Sequence, residues 1–202
     1  MPRYRVPARI HRVEEVVQRS RFITTAARAP DADAAHAFVQ TIRDEFPDAT
    51  HHCWAFVAGP PGSTTHIGMS DDGEPHGTAG KPMLTTLLHG GVGEIVVVCA
   101  RWFGGVKLGT GGLSRSYSGG VKLVLESLTT EERVDRIRVE VTVGYAEVDA
   151  LQRLMAGMEV VVEREEYGAA VRYVCAVPEP ALAGFRRALG DLTRGGGDLR
   201  EV

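Results

Sequence analysis

The sequence is short of cysteine, has no long apolar run and carries no lysine beyond residue 130. Cys53, Cys99 and Cys175 are too few and too scattered for a disulfide framework or a thiolate metal centre, so they read as buried thiols. No stretch approaches the ~18 uninterrupted apolar residues of a membrane span. The opening MPRYRVPARIHR lacks the apolar core of a secretory signal. The expectation is a soluble, cytoplasmic protein with no membrane partner. Several chemistry-bearing motifs are missing too: GxxxxGK[ST], the dinucleotide glycine fingerprint, the EF-hand pattern, HExxH and paired-histidine zinc spacing. The formal net charge of -3 provides no global attraction for nucleic acid, so any such attraction must be local.

What is there suits a packed protein. With 202 residues and 44% hydrophobic content, the chain can form one generous domain or two small ones. Residues 1–130 carry 13 Lys plus Arg against 12 Asp plus Glu, whereas 131–202 carry 10 against 14. This shift divides the chain into an N-terminal domain over 1–130 and a C-terminal domain over 131–202, with the polar stretch 129–132 as a linker. In the first part, β-branched residues over 8–17 and 20–27 predict a hairpin turning at Gln18-Arg19. Asp31 or Asp33 can cap a helix reaching Phe46, with Ala35, Phe38, Val39 and Ile42 on one face. A strand over 53–57, a helix over 81–89 with Pro82 in its first turn, a strand over 94–102 and a helix over 113–128 follow. The run Ile95-Val96-Val97-Val98-Cys99-Ala100 is continuous rather than alternating, which predicts a central strand covered on both faces. The second part reads strand, helix, strand, strand, helix, strand between 134 and about 199, the βαββαβ order of a ferredoxin-like unit.

Two segments can carry chemistry. The first runs from Arg101 to Arg115, between a buried strand and a helix. Its glycines Gly104, Gly105, Gly109, Gly111 and Gly112 can turn backbone N–H groups into one concavity, with Arg101, Lys107 and Arg115 supplying charge. This pattern points to anion binding; the competing reading is that the glycines only permit tight turns and close packing. Trp102 and Phe103 leave the strand together, so one is expected to face the core and the other to offer a stacking surface for a base. The second segment is Ser70-Asp71-Asp72-Gly73-Glu74-Pro75-His76-Gly77-Thr78-Ala79-Gly80-Lys81. Its carboxylates could form a structural turn and helix cap or, as the alternative, hold a divalent metal beside the anion loop. His51, His52, His66 and His76 crowd this region, but no nucleophile is presented with them, so catalytic residues stay unassigned.

The blocks SDDGEPHGTAGK, from Ser70 to Lys81, and VCARWFGGVKLGTGGLSRSYS, from Val98 to Ser118, closely resemble the hallmark of the YigZ/IMPACT family. Arg21-Phe22-Ile23 and His51-His52-Cys53-Trp54-Ala55 extend the resemblance over the first part, and the second part is compatible with the bacterial two-domain members. His76 stands where a small residue is common, and Trp102 where Tyr or Phe is usual. The resemblance implies an α+β protein: a ribosomal-protein-type α/β domain like the fourth domain of elongation factor G, then a ferredoxin-like domain like its fifth. It also implies a link to translation. Eukaryotic relatives bind a partner through a separate N-terminal domain for which this sequence has no room, so that partnership is not carried over.

The leading expectation is therefore a translation-associated regulator, not a dedicated enzyme. It would bind ribosome or RNA through the cationic loop, with Lys81, Arg101, Trp102, Lys107 and Arg115 as contacts. Neither a cofactor nor a resident metal is expected, and a monomer is. Two alternatives stay open: a metal-assisted enzyme acting on a phosphorylated or nucleotide-like small molecule, and an adaptor for a regulatory protein partner.

Overall fold

The computed structural model describes residues 3–202, which divide into two compact units: Tyr4–Arg133, and Val134–Val202 with Arg3. The first unit contains strands β1 (Tyr4–Pro7), β2 (His11–Val17) and β3 (Ser20–Arg28), helix α1 (Ala32–Glu45), strands β4 (His51–Val57) and β5 (Ile67–Ser70), helix α2 (Gly80–Leu88), strand β6 (Ile95–Trp102), helix α3 (Gly109–Ser127) and strand β7 (Thr130–Arg133). The second contains β8 (Arg136–Val143), α4 (Val148–Gly157), β9 (Val161–Tyr167), β10 (Val171–Pro178), α5 (Leu182–Thr193) and β11 (Asp198–Glu201).

In the first unit five strands form an antiparallel sheet in the order β2-β3-β6-β4-β5. Strand β6 is central, and its alternating side chains enter two cores. Ile95, Val97 and Cys99 join Met83, Leu87, Tyr117 and Val121 from α2 and α3, whereas Val96 and Val98 join Val39 and Ile42 from α1. Coverage on both faces is why the run has no polar alternation. The β2–β3 turn falls at Gln18 and Arg19, both at positive φ as a two-residue hairpin turn demands. Asp31 is the residue that caps α1, accepting from the Ala34 N–H at 2.7 Å.

Two expectations are corrected. The stretch 129–132, expected as a linker, lies largely in β7, which pairs with β1. Buried Glu94 explains this, because it binds Tyr4 of β1, Arg133 of β7 and Arg28 of β3. Helix α3 begins at Gly109, four residues before the expected start, so the last glycines of the loop belong to its first turn.

The second unit orders its strands β11-β8-β10-β9, each neighbour antiparallel. With the order βαββαβ this is the ferredoxin-like arrangement. Residues of β8 and β10, led by Val139, Val141, Tyr173 and Val177, pack with Leu151, Met155, Phe185 and Leu189 of α4 and α5 in a core of their own. The fold class is α+β.

Candidate functional site

The acidic segment is a turn that starts α2. Asp72 and Gly73 adopt positive φ after β5, and Gly77 does so again before the helix. Ala79, at the helix cap position, has no side chain able to cap. Asp71 performs that task, accepting from the N–H groups of Gly77 at 2.7 Å, Ala79 at 3.0 Å and Gly80 at 2.9 Å. Burial pushes its pKa up, but these bonds and nearby His76 outweigh burial and hold the carboxyl below its usual value. Ser70 Oγ accepts from the Asp72 N–H at 3.1 Å, and Thr78 Oγ1 donates to the Pro75 carbonyl at 2.6 Å. A Cβ on Gly80 would lie 2.9 Å from the Ser70 backbone, so only glycine fits this crossing.

The three carboxylates diverge. Asp72 accepts from Arg43 Nη2 and from the His52 N–H, each at 2.7 Å. Glu74 instead turns inward, where Arg101 Nη1 at 2.5 Å and the Tyr117 hydroxyl at 2.7 Å both donate to its Oε1. Among the described residues no three His, Cys, Asp or Glu side chains converge as a metal would need. The metal-assisted alternative thus has no donor set in this segment.

Arg101 differs from the open cation expected of it. Only 5% exposed, it pairs with Glu74, donates to Ser20 Oγ at 3.3 Å, and its guanidinium lies 5.3 Å from the Phe22 ring and 5.8 Å from that of Phe103. Its charge is spent inside the protein. Burial also pushes the Tyr117 hydroxyl far above its usual range, which keeps it a donor to Glu74. The three thiols are buried; burial raises Cys99 to about 12 and Cys175 to about 11, and Cys53 higher still. None is a ready thiolate.

The two aromatics also differ in use. Trp102 donates Nε1–H to Asp48 at 2.9 Å, carries the Arg21 guanidinium over its ring at 4.8 Å and meets Phe46 edge-on. Phe103, 49% exposed, is the open aromatic.

The glycine loop binds tightly to the hairpin at one end and opens at the other. A Cβ on Gly104 would sit 2.1 Å from the Arg19 carbonyl, and the Gly104 N–H donates to Ser20 Oγ at 3.2 Å. Gly105 and Gly109 take positive φ. Leu108 then precedes α3 without a side-chain cap, so the first N–H groups of a 19-residue helix stay free for an outside acceptor. Lys107 is exposed, and among the described residues neither it nor Arg115 or Lys81 makes an ion pair. A Cβ on Gly111 would lie 3.3 Å from Arg115 Nη1, which places that guanidinium over the first turn of α3.

Glu74, Arg101, Phe103, Lys107, Thr110 and Leu113 line a cavity of about 360 Å³ that joins the acidic segment to the glycine loop. Lys81 lies elsewhere, in a groove of about 800 Å³ between α2 and α3 whose lining holds no buried charge. Tyr117 is the residue sequence reasoning missed. Its one signal was a polar-tipped aromatic on the apolar face of α3, between Leu113 and Val121.

Residues 18–125 match the Impact N-terminal domain, and 141–195 match a domain of unknown function, DUF1949. The chain is 42% identical to the IMPACT family member YigZ of Escherichia coli (strain K12), over 96% of both chains. It is 32% identical to the IMPACT family member YvyE of Bacillus subtilis (strain 168), over 93% of this chain and 86% of that one. A crystal structure of a hypothetical protein is similar at TM-score 0.71 and 40% identity, covering 100% of this chain and 98% of the other. Family matches over both units, and relatives aligned along nearly the whole length, lead to one conclusion: the chain belongs to the IMPACT family.

Proposed function

We propose that this protein is a translation-related regulator that binds RNA on the ribosome through the glycine loop and the N-terminus of α3. The observation that carries the reading is an uncapped 19-residue helix whose first turn lies under Arg115 and beside Lys107, neither of them paired with a carboxylate among the described residues. Free amides and unpaired cations together are what a phosphate needs. Family membership supports the translation link. Arg101 serves this role indirectly, by fixing Glu74 and the strand end from which the loop departs.

Ribosome co-sedimentation over a salt series tests the reading, comparing wild type with Lys107→Ala/Arg115→Ala. Each phosphate contact adds about 0.7 to 0.9 to the slope of log affinity against log salt, so the double variant should lose between about 1.4 and 1.8. Binding that ignores salt, or an unchanged slope in the variant, would remove the proposal.

A further inference from the structure

Lys81 is the one lysine of the acidic segment, and RNA binding by the glycine loop gives it no role. It stands in the first turn of α2, where the helix dipole favours a carboxylate over an ammonium, so it adds nothing to the stability of its own helix. With Lys122 of α3 it lines the groove of about 800 Å³ between the two helices. Among the described residues neither lysine meets a carboxylate, and Glu126, one turn beyond Lys122, is unpaired as well.

Between these charges the groove is apolar. Thr85 Oγ1 donates back to the Lys81 carbonyl and Thr86 Oγ1 to the Pro82 carbonyl, each at 2.9 Å, and Ser118 Oγ donates to the Ser114 carbonyl at 2.8 Å. Those hydroxyl hydrogens are used within their own helices. Leu125 lies against Gly90, where an added Cβ would sit 2.6 Å from Leu125 Cδ1. The walls are helices whose backbone groups bond internally, so an extended chain laid here would find no ladder and would bury its own amides unpaired. A helix satisfies its amides itself. Along the 9 residues of α2, about 13 Å, there is room for two to three turns of one. Among the described residues no Phe, Tyr or Trp lines the groove, so a nucleic-acid base finds none of these rings to stack on.

We infer that the groove receives an acidic, amphipathic helix of a protein partner: its apolar stripe lies on Pro82 and Leu125, and its carboxylates meet Lys81 and Lys122. Apolar contact supplies the binding and charge complementarity selects the partner. No residue of the glycine loop lines this groove, so the inference stands apart from RNA binding by that loop.

Fluorescence anisotropy tests it with a labelled synthetic helix of about three turns, its leucines spaced to form one stripe and its glutamates on both sides of that stripe. The same helix with lysines for glutamates, and an oligouridylate, are the comparisons. The wild type should bind the acidic helix saturably and the lysine form about tenfold more weakly, and Lys81→Glu/Lys122→Glu should reverse that preference. Both positions are exposed, and glutamate suits the first turn of α2, so the variant should fold. No saturable binding of the acidic helix, equal binding of the two helices, or a preference unchanged in the variant overturns the inference. Oligouridylate binding that the charge reversal abolishes would assign the groove to RNA and overturns it too. Ribosome co-sedimentation of the same variant separates the two sites. Reversed helix preference with salt-dependent ribosome association intact supports a protein-binding groove distinct from the RNA site, whereas loss of that association would place both lysines on RNA and remove the groove's separate role.

Discussion

At the scale of single residues, neighbouring carboxylates of one acidic turn do different work. Asp71 ties down three amides, Asp72 holds Arg43 and the start of β4, and Glu74 pairs with Arg101 in the core. Asp71 couples the turn to pH. Its folded pKa lies below the unfolded value of about 4, so the stability it contributes is complete above that value and is lost as the pH falls through the folded pKa. Asp71→Asn, which keeps one acceptor but no charge, should cost about 1–2 kcal/mol at pH 7. Urea denaturation of both proteins from pH 7 to pH 3 should show that gap closing on acidification. A gap independent of pH would mean that packing, not charge, is what Asp71 supplies.

At the scale of elements, α3 meets the sheet through a glycine. An added Cβ on Gly120 would lie 2.4 Å from Oγ1 of Thr24 in β3, a buried hydroxyl that donates to Cys99 Sγ at 3.4 Å. The same Cβ on Gly119 would meet nothing within 4 Å. Alanine gains about 1 kcal/mol over glycine in a helix interior, and at Gly119 nothing opposes that gain. At position 120 the overpacking cost of about 1–3 kcal/mol exceeds it. Thermal melts of the single variants should therefore move in opposite directions, Gly119→Ala upward and Gly120→Ala downward. Equal shifts would show that the helix does not approach β3 through this residue.

At the scale of the whole molecule, each unit has its own core, and the ferredoxin-like unit closes a four-stranded sheet without strands from the other. Expressed alone, residues 134–202 should unfold in one cooperative transition followed by circular dichroism; a non-cooperative melt would show that this core is insufficient. The sequence by itself determined the local elements: the central β6 through its unbroken apolar run, α1 through its 3.6-residue face with Asp31 or Asp33 offered as its cap, and the βαββαβ order through alternating patterns. It also exposed the two segments that meet at the cavity. It could not announce β1 and β7, because a two-stranded ribbon of four residues each has no pattern of its own and its strands are remote in sequence, with Glu94 contacting Tyr4, Arg28 and Arg133 beside them. The early start of α3 was hidden because glycine lowers helix propensity wherever it falls. Only the tertiary structure decided which charges face outward. Arg101, Lys107 and Arg115 look alike along the chain, but β6 carries Arg101 to Glu74, which Tyr117 also binds, while the other two meet no carboxylate among the described residues, since burial and pairing depend on contacts between residues remote in sequence.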